Sequence, residues 1–165
     1  MDYVQLGATG LKASVAGLGG GGSSTLGLQS GKTEDDVVAL IRLALDLGVN
    51  LIDTAEAYGT EPAIGKALKS VRRDSVILVT KAQPTEKGGA RRSPADIVAC
   101  LDKSLRQLGV DYVDVFMIHG LTMPHYDFTI REVVPVLQKE KAKGKFRHLG
   151  FSESSPLDVT HETAI

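Results

Sequence analysis

The sequence predicts an α/β fold: an incomplete (β/α)8 TIM barrel, with a small N-terminal hairpin and about five parallel strands under outer helices. Three observations predict it. Short apolar runs alternate with segments of helical period along the chain, the order of repeated β-α units. Several of those runs are nearly continuous, as in strands buried on both faces of a parallel sheet. Three consecutive strands also end in an ionisable residue, at the end of the sheet where barrels place their chemistry.

Taken in order, Tyr3 to Ser14 reads as a hairpin turning at Thr9-Gly10, placed to cap the barrel bottom. Val15 to Gly19 is the first parallel strand, followed by a Gly/Ser-rich loop. Thr33 caps a helix whose first turn carries Glu34, Asp35 and Asp36. Val37, Ile41, Ala44 and Leu45 recur at helical spacing, and Gly48 suits the left-handed stop. Val49 to Asp53 is the second strand, then a turn and a helix from about Glu61 to Lys69. Ser75 to Lys81 is a strongly β-type third strand.

A Gly- and Arg-containing loop, Glu86 to Arg92, leads to Ser93-Pro94-Ala95-Asp96, a cap followed by a first-turn proline and an early acid. Ile97, Leu101, Leu105 and Leu108 line one face of that helix and Gly109 ends it. Asp111 to His119 is the fourth strand. A helix follows between Thr129 and Lys143, with Pro135 either in its first turn or at a kink. Gly144 ends it, and Lys145 to Ser152 is the fifth strand. No internal repeat or low-complexity linker interrupts the series, so residues 1–165 read as a single domain.

Composition excludes several functions. The chain has 165 residues, 42% of them apolar, enough to build a core. Its 19 Lys+Arg and 20 Asp+Glu nearly balance and are scattered, which gives no electrostatic support to a nucleic-acid or anionic-membrane partner. The cluster from Lys139 to Lys145 lies near a helix end, where cations complement the helix dipole. Cys100 is the one cysteine and falls in an apolar-periodic helix, which predicts a buried structural thiol. The N-terminus has no basic start and no apolar h-region, so the expected location is the cytoplasm.

Two glycine motifs fail on context. Gly17-Leu18-Gly19-Gly20-Gly21-Gly22 matches a dinucleotide fingerprint, but no helix opens on its last glycine. Gly31-Lys32-Thr33 resembles the end of a P-loop, but the position of the leading glycine is Leu26. The residues that share an address are Asp53, Tyr58, Lys81 and His119, at the ends of the second, third and fourth strands or just beyond. Each alone is ordinarily a cap, a packing residue or a solvated charge. On adjacent strand ends they form a candidate catalytic group.

Several stretches resemble the aldo-keto reductase family. They are Leu6-Gly7-x-Thr9-Gly10-Leu11, Gly17-Leu18-Gly19-Gly20, Leu51-Ile52-Asp53-Thr54-Ala55-x-x-Tyr58-Gly59 and Glu61-x-x-Ile64-Gly65-x-Ala67-Leu68. Thr80-Lys81, Leu105-x-x-Leu108-Gly109-x-Asp111-Tyr112-Val113-Asp114, Ile118-His119 and Gly144-Lys145-x-Arg147-x-x-Gly150-Phe151-Ser152 continue the likeness across essentially the whole chain. The stretch from Asp53 to Gly59 is the most specific part. The resemblance implies NADP- or NAD-linked interconversion of a small carbonyl compound, sugars included, and its alcohol, with no metal ligands assigned. It implies Tyr58 as general acid, Lys81 as the cation that stabilises the phenolate, Asp53 as the partner of Lys81, and His119 as the hydrogen-bond donor that orients the carbonyl. Gly20, Asp53, Ser152 and Glu153 are the implied cofactor contacts.

Two departures stand out. Many relatives carry Ser-Asn where this chain has Ser152-Glu153, and a carboxylate accepts from a carboxamide NH2 but cannot donate to its carbonyl. Gly120-Leu121 after His119 offers no aromatic wall for a substrate. A full barrel takes about 250 residues, so five strands by Ser152 predict a C-terminally truncated domain with impaired cofactor binding. Its open strand edges would favour self-association or pairing with a complementing chain. The rival readings are an inactive or regulatory interaction module of the same ancestry and, ranked below it, a barrel aldolase using Lys81 for a Schiff base.

Overall fold

A computed structural model of the chain describes residues 1–153; positions 154–165 of the single-domain reading lie outside the described residues. Strands β1 (Tyr3–Gln5) and β2 (Lys12–Ser14) pair antiparallel as the expected hairpin, and Gly10 takes the left-handed φ of +77° that the turn requires. Asn50 fastens this hairpin to the start of the next-but-one strand. Its Oδ1 accepts from the Ser14 N–H at 2.7 Å, its Nδ2 donates to the Lys12 carbonyl at 2.9 Å, and its N–H donates to Ser14 Oγ at 3.0 Å.

The remaining strands form one parallel sheet in sequence order: β3 (Gly17–Gly19), β4 (Leu51–Asp53), β5 (Ile77–Ala82), β6 (Val113–Leu121) and β7 (Phe146–Glu153). Between them run α1 (Glu34–Asp46), α2 (Glu61–Leu68) and α3 (Pro94–Leu108), then α4 (Met123–Phe128) and α5 (Val134–Ala142). Both long helices begin where their caps predict. Thr33 with Asp36, and Ser93 with Asp96, close reciprocal capping boxes, each satisfying two backbone donors that a helix start leaves open.

All six residues of β5 are buried, as its continuous apolar run requires. Ile52, Leu78 and Phe116 from the strands meet Ile41, Ile64, Ile97, Leu101 and Leu108 from the helices in one core. Three local features differ from the sequence reading. The Gly/Ser-rich segment contains a 3-10 stretch, Thr25–Ser30. Strand β6 continues to Leu121, two residues beyond His119, with an irregular register after Ile118 and Gly120 at φ +65°. The last helical run begins at Met123 and reaches Ala142 through a π turn, Thr129–Val133. That turn comes just before Pro135, which can neither donate to nor pack against a normal α turn, so the ladder widens there.

Gly65 sets how closely α2 approaches α3. A Cβ at this position would lie 2.8 Å from both the carbonyl carbon and the oxygen of Leu108, backbone atoms with nowhere to go. Gly65→Ala is expected to destabilise the protein by about 1–3 kcal/mol, the cost of overpacking a close helix crossing. Denaturant unfolding checks this, and an unchanged midpoint would show that the helices can separate freely.

Candidate active site

The strand register, more than the strand ends, brings the ionisable residues together. Gly19 is aligned with Asp53, Asp53 with Val79, Lys81 with Met117, and Met117 with Gly150. Aligned residues of parallel strands face the same side, as do residues two apart. Asp53, Lys81, His119 and Ser152 are therefore on one face, each displaced along the sheet by a stagger of the kind that closes barrels. Tyr58 reaches that face from a 3-10 turn, Glu56–Tyr58, which Gly59 ends at φ +71°.

Lys81 is 6% exposed. Its Nζ donates to Asp53 Oδ1 at 2.6 Å and to the Thr54 carbonyl at 3.0 Å, and it lies 5.2 Å from the Tyr58 ring centroid. Tyr58 Oη and His119 Nε2 are 3.3 Å apart, with the two rings edge to face. Two groups at that separation can both reach a single oxygen placed between them.

Two effects oppose the easing that the resemblance implies for Tyr58. Burial, and then the Asp53 carboxylate, push the Tyr58 phenol above its ordinary value, whereas the sequence reading has Lys81 easing its ionisation. The Lys81 charge is engaged by Asp53, so the phenol faces a paired dipole and not an isolated ammonium. Tyr58 is accordingly a neutral O–H donor at physiological pH.

Burial, followed by the Lys81 ammonium, holds His119 below the usual imidazole value. Its buried Nδ1 has no hydrogen-bond partner among the described residues. In the window between that lowered value and the unfolded value of about 6.5, the unfolded chain binds more protons than the folded one. The stability contributed by neutral His119 is therefore complete above about pH 6.5 and is lost as the medium is acidified through the window. Melting temperature should rise from about pH 5 to 7 in the parent and less steeply in His119→Gln. Equal slopes would remove His119 as the cause.

The other expected contacts are placed as follows. Ser152 Oγ accepts from the Gly120 N–H at 3.1 Å, which ties β7 to the irregular end of β6 beside His119 and leaves the serine O–H to donate elsewhere. Glu153 ends β7 in register with Leu121. Gly20 is buried; its N–H donates to the Asp53 carbonyl at 2.7 Å, and a Cβ there would lie 2.7 Å from Thr60 Oγ1. That packing accounts for a glycine at this position.

Gly21 is the neighbour that sequence reasoning passed over. A Cβ on it would be 2.7 Å from Cε2 and Cζ of Tyr58, so the missing side chain makes room for the phenol ring. Cys100 is half-buried, and burial with the nearby Glu56 carboxylate pushes its thiol up to about 12, consistent with an unreactive packing role.

The profile of the Aldo/keto reductase family matches residues 17–163. The chain belongs to the aldo/keto reductase family. It is similar to L-galactose dehydrogenase of Arabidopsis thaliana, 39% identical over 160 residues, covering 93% of this chain and 49% of that protein. It is also similar to aldo-keto reductase YhdN of Bacillus subtilis, 36% identical, with 94% and 48% covered. Among solved structures, the holo form of an aldo-keto reductase from Bacillus halodurans superposes with a TM-score of 0.77 at 34% identity, covering 94% of this chain and 51% of that one.

The chain thus spans about half the length of the curated aldo/keto reductases it matches. The fold likeness places its hairpin and five parallel strands in a TIM-barrel architecture. Among the described residues no helix is long and apolar enough to cross a membrane.

Proposed function

We propose that this chain carries the proton-transfer site of an NAD(P)H-dependent oxidoreductase that interconverts small aldehydes or ketones and alcohols. The observation that carries the reading is the pair of Tyr58 Oη and His119 Nε2, 3.3 Å apart beside the Lys81–Asp53 pair. A carbonyl oxygen seated between the two accepts a hydrogen bond from His119 in its Nε2–H tautomer and the proton of the neutral Tyr58 phenol. Such positioned acid catalysis contributes about 10²–10⁴ in rate. Asp53 holds the Lys81 ammonium 5.2 Å from the Tyr58 ring centroid, where it partly offsets the cost that burial and the Asp53 carboxylate place on the phenolate left after proton transfer.

The nicotinamide cofactor that the family implies would supply the hydride. The donor set fits its carboxamide end. Ser152 Oγ, which accepts from the Gly120 N–H, has an O–H that could donate to the amide carbonyl, and a carboxylate such as that of Glu153, at the end of the same strand, has acceptor capacity for the amide NH2. The likeness to L-galactose dehydrogenase supports sugars and other hydroxylated carbonyl compounds as the substrate class. The Schiff-base alternative is disfavoured because Lys81 Nζ donates to a carboxylate and a carbonyl, and an ammonium so held is a poor nucleophile.

The test follows loss of NADPH and NADH absorbance with a panel of simple aldehydes and aldoses, with Tyr58→Phe as control. Turnover that disappears in the variant supports the reading. Turnover that survives it, or trapping of a carbonyl compound on Lys81 by borohydride, would overturn it.

A further inference from the structure

A second charged cluster lies directly behind the turn that presents Tyr58. Glu56, two residues before Tyr58 in the same 3-10 turn, accepts from the Gln83 N–H at 2.9 Å. Gln83 follows β5 and is two residues beyond Lys81. The same Glu56 oxygen is ion-paired with Arg92 Nη1. Arg92 stands just before the cap of α3 and also donates to Glu86 Oε1 at 2.9 Å, to the Gln83 carbonyl at 3.4 Å and to Cys100 Sγ at 3.2 Å. The Glu56 and Arg92 side chains are only 14% and 15% exposed, so the pair is shielded from the screening that makes surface pairs weak.

Burial alone would raise the Glu56 carboxyl, but hydrogen bonds involving Cys100, Gln83 and Arg92 outweigh it and hold Glu56 ionised. A single carboxylate therefore joins three segments: the turn bearing Tyr58, the end of the strand bearing Lys81, and the entrance to α3.

We propose that Glu56 and Arg92 are positioning residues that fix the Tyr58 turn against the Lys81 strand. The proposal rests on the reading of Tyr58 as proton donor. Neither residue touches the reacting oxygen; both act through the turn. Gly21 leaves the Tyr58 ring a narrow slot on one side and Lys81 lies over it on another, so a turn released from Gln83 moves the phenol relative to His119 Nε2. A displacement of about 1 Å at a reacting group can cost a hundredfold in rate.

The experiment compares Arg92→Ala, Glu56→Ala and Glu56→Gln with the parent by kcat, KM, unfolding midpoint and ultraviolet titration of the Tyr58 phenol, assigned by difference against Tyr58→Phe. In Arg92→Ala and Glu56→Ala, kcat should fall about ten- to a hundredfold. KM should move much less, and the Tyr58 phenol should titrate at lower pH as water reaches it. Glu56→Gln keeps an acceptor for the Gln83 N–H without the charge and should recover most of the activity, which also guards against a variant that fails to fold.

The proposal is overturned if the alanine variants lose stability but leave the phenol titration and kcat unchanged, or if Glu56→Gln is as slow as Glu56→Ala. The phenol titration needs no turnover. A shift in titration in a protein whose activity survives Tyr58→Phe would therefore refute the proton-donor reading and leave the positioning intact.

Discussion

Tyr58→Phe is expected to lower the rate of carbonyl reduction by about 10²–10⁴-fold, the range that a positioned general acid supplies. The phenyl ring still fills the slot beside Gly21 and still lies under Lys81, so the variant removes one oxygen and its proton and little else. Among the described residues, the hydrogen bond of that oxygen is the 3.3 Å contact to His119, long enough that its loss should leave the unfolding midpoint nearly unchanged. Cofactor affinity, read by fluorescence titration, should also hold. The expected pattern is a collapse of kcat with binding and stability intact. A kcat within about threefold of the parent, less than 1 kcal/mol in the barrier, would sink the assignment.

The largest effect on stability is expected far from that site, at Asp114 near the start of β6. Its side chain is 2% exposed. Oδ2 accepts from Arg73 Nη2 at 2.6 Å and from the Leu78 N–H at 3.0 Å, and Oδ1 accepts from Arg147 Nη1 at 3.0 Å. Both guanidiniums also stack on Tyr112, with centroid distances of 4.2 and 4.5 Å. Arg73 donates further to the Tyr112 and Val76 carbonyls. One carboxylate thus joins β5, β6, β7 and the turn after α2.

Asp114→Ala leaves Arg73 Nη2 and the buried Leu78 N–H without this acceptor, and breaking a buried pair in this way costs about 3–5 kcal/mol. Arg147 is 48% exposed and can turn to water, so the lower end of that range is expected. Denaturant unfolding should show the loss as a shifted midpoint with an unchanged slope. A loss below about 1 kcal/mol would mean that the cluster is ornamental to stability. Asp114→Asn, which keeps an acceptor for Leu78, should be milder.

Much of the architecture could be read locally. The boxes at Thr33 and Ser93, the left-handed Gly48 and Gly109, and the buried run of β5 are decided by residues within one or two turns of one another. Where local rules compete, the reading was less sharp. Pro135 allowed either a helix start or a kink, and the answer, a π turn inside a longer helical run, depends on a partner surface that periodicity does not describe. Strand β6 extends past His119 because pairing with β7 continues to Leu121, a register known only once both strands are in place.

The candidate site divides the same way. Sequence by itself determined the alternation of strands and helices, their caps, and which ionisable residues stand at the strand ends. These follow from propensity and period, which act between near neighbours. Only the tertiary structure decided that staggered register puts Asp53, Lys81, His119 and Ser152 on one face, and that burial, with the Asp53 carboxylate, leaves Tyr58 harder to ionise. It also decided that Gly21 makes room for the phenol, and that Glu56 and Asp114 are junctions and not solvated acids. Each of these depends on distances and burial between residues tens of positions apart, and in that setting a charge acts through its nearest partner and its access to water, neither of which is written in its own stretch of chain.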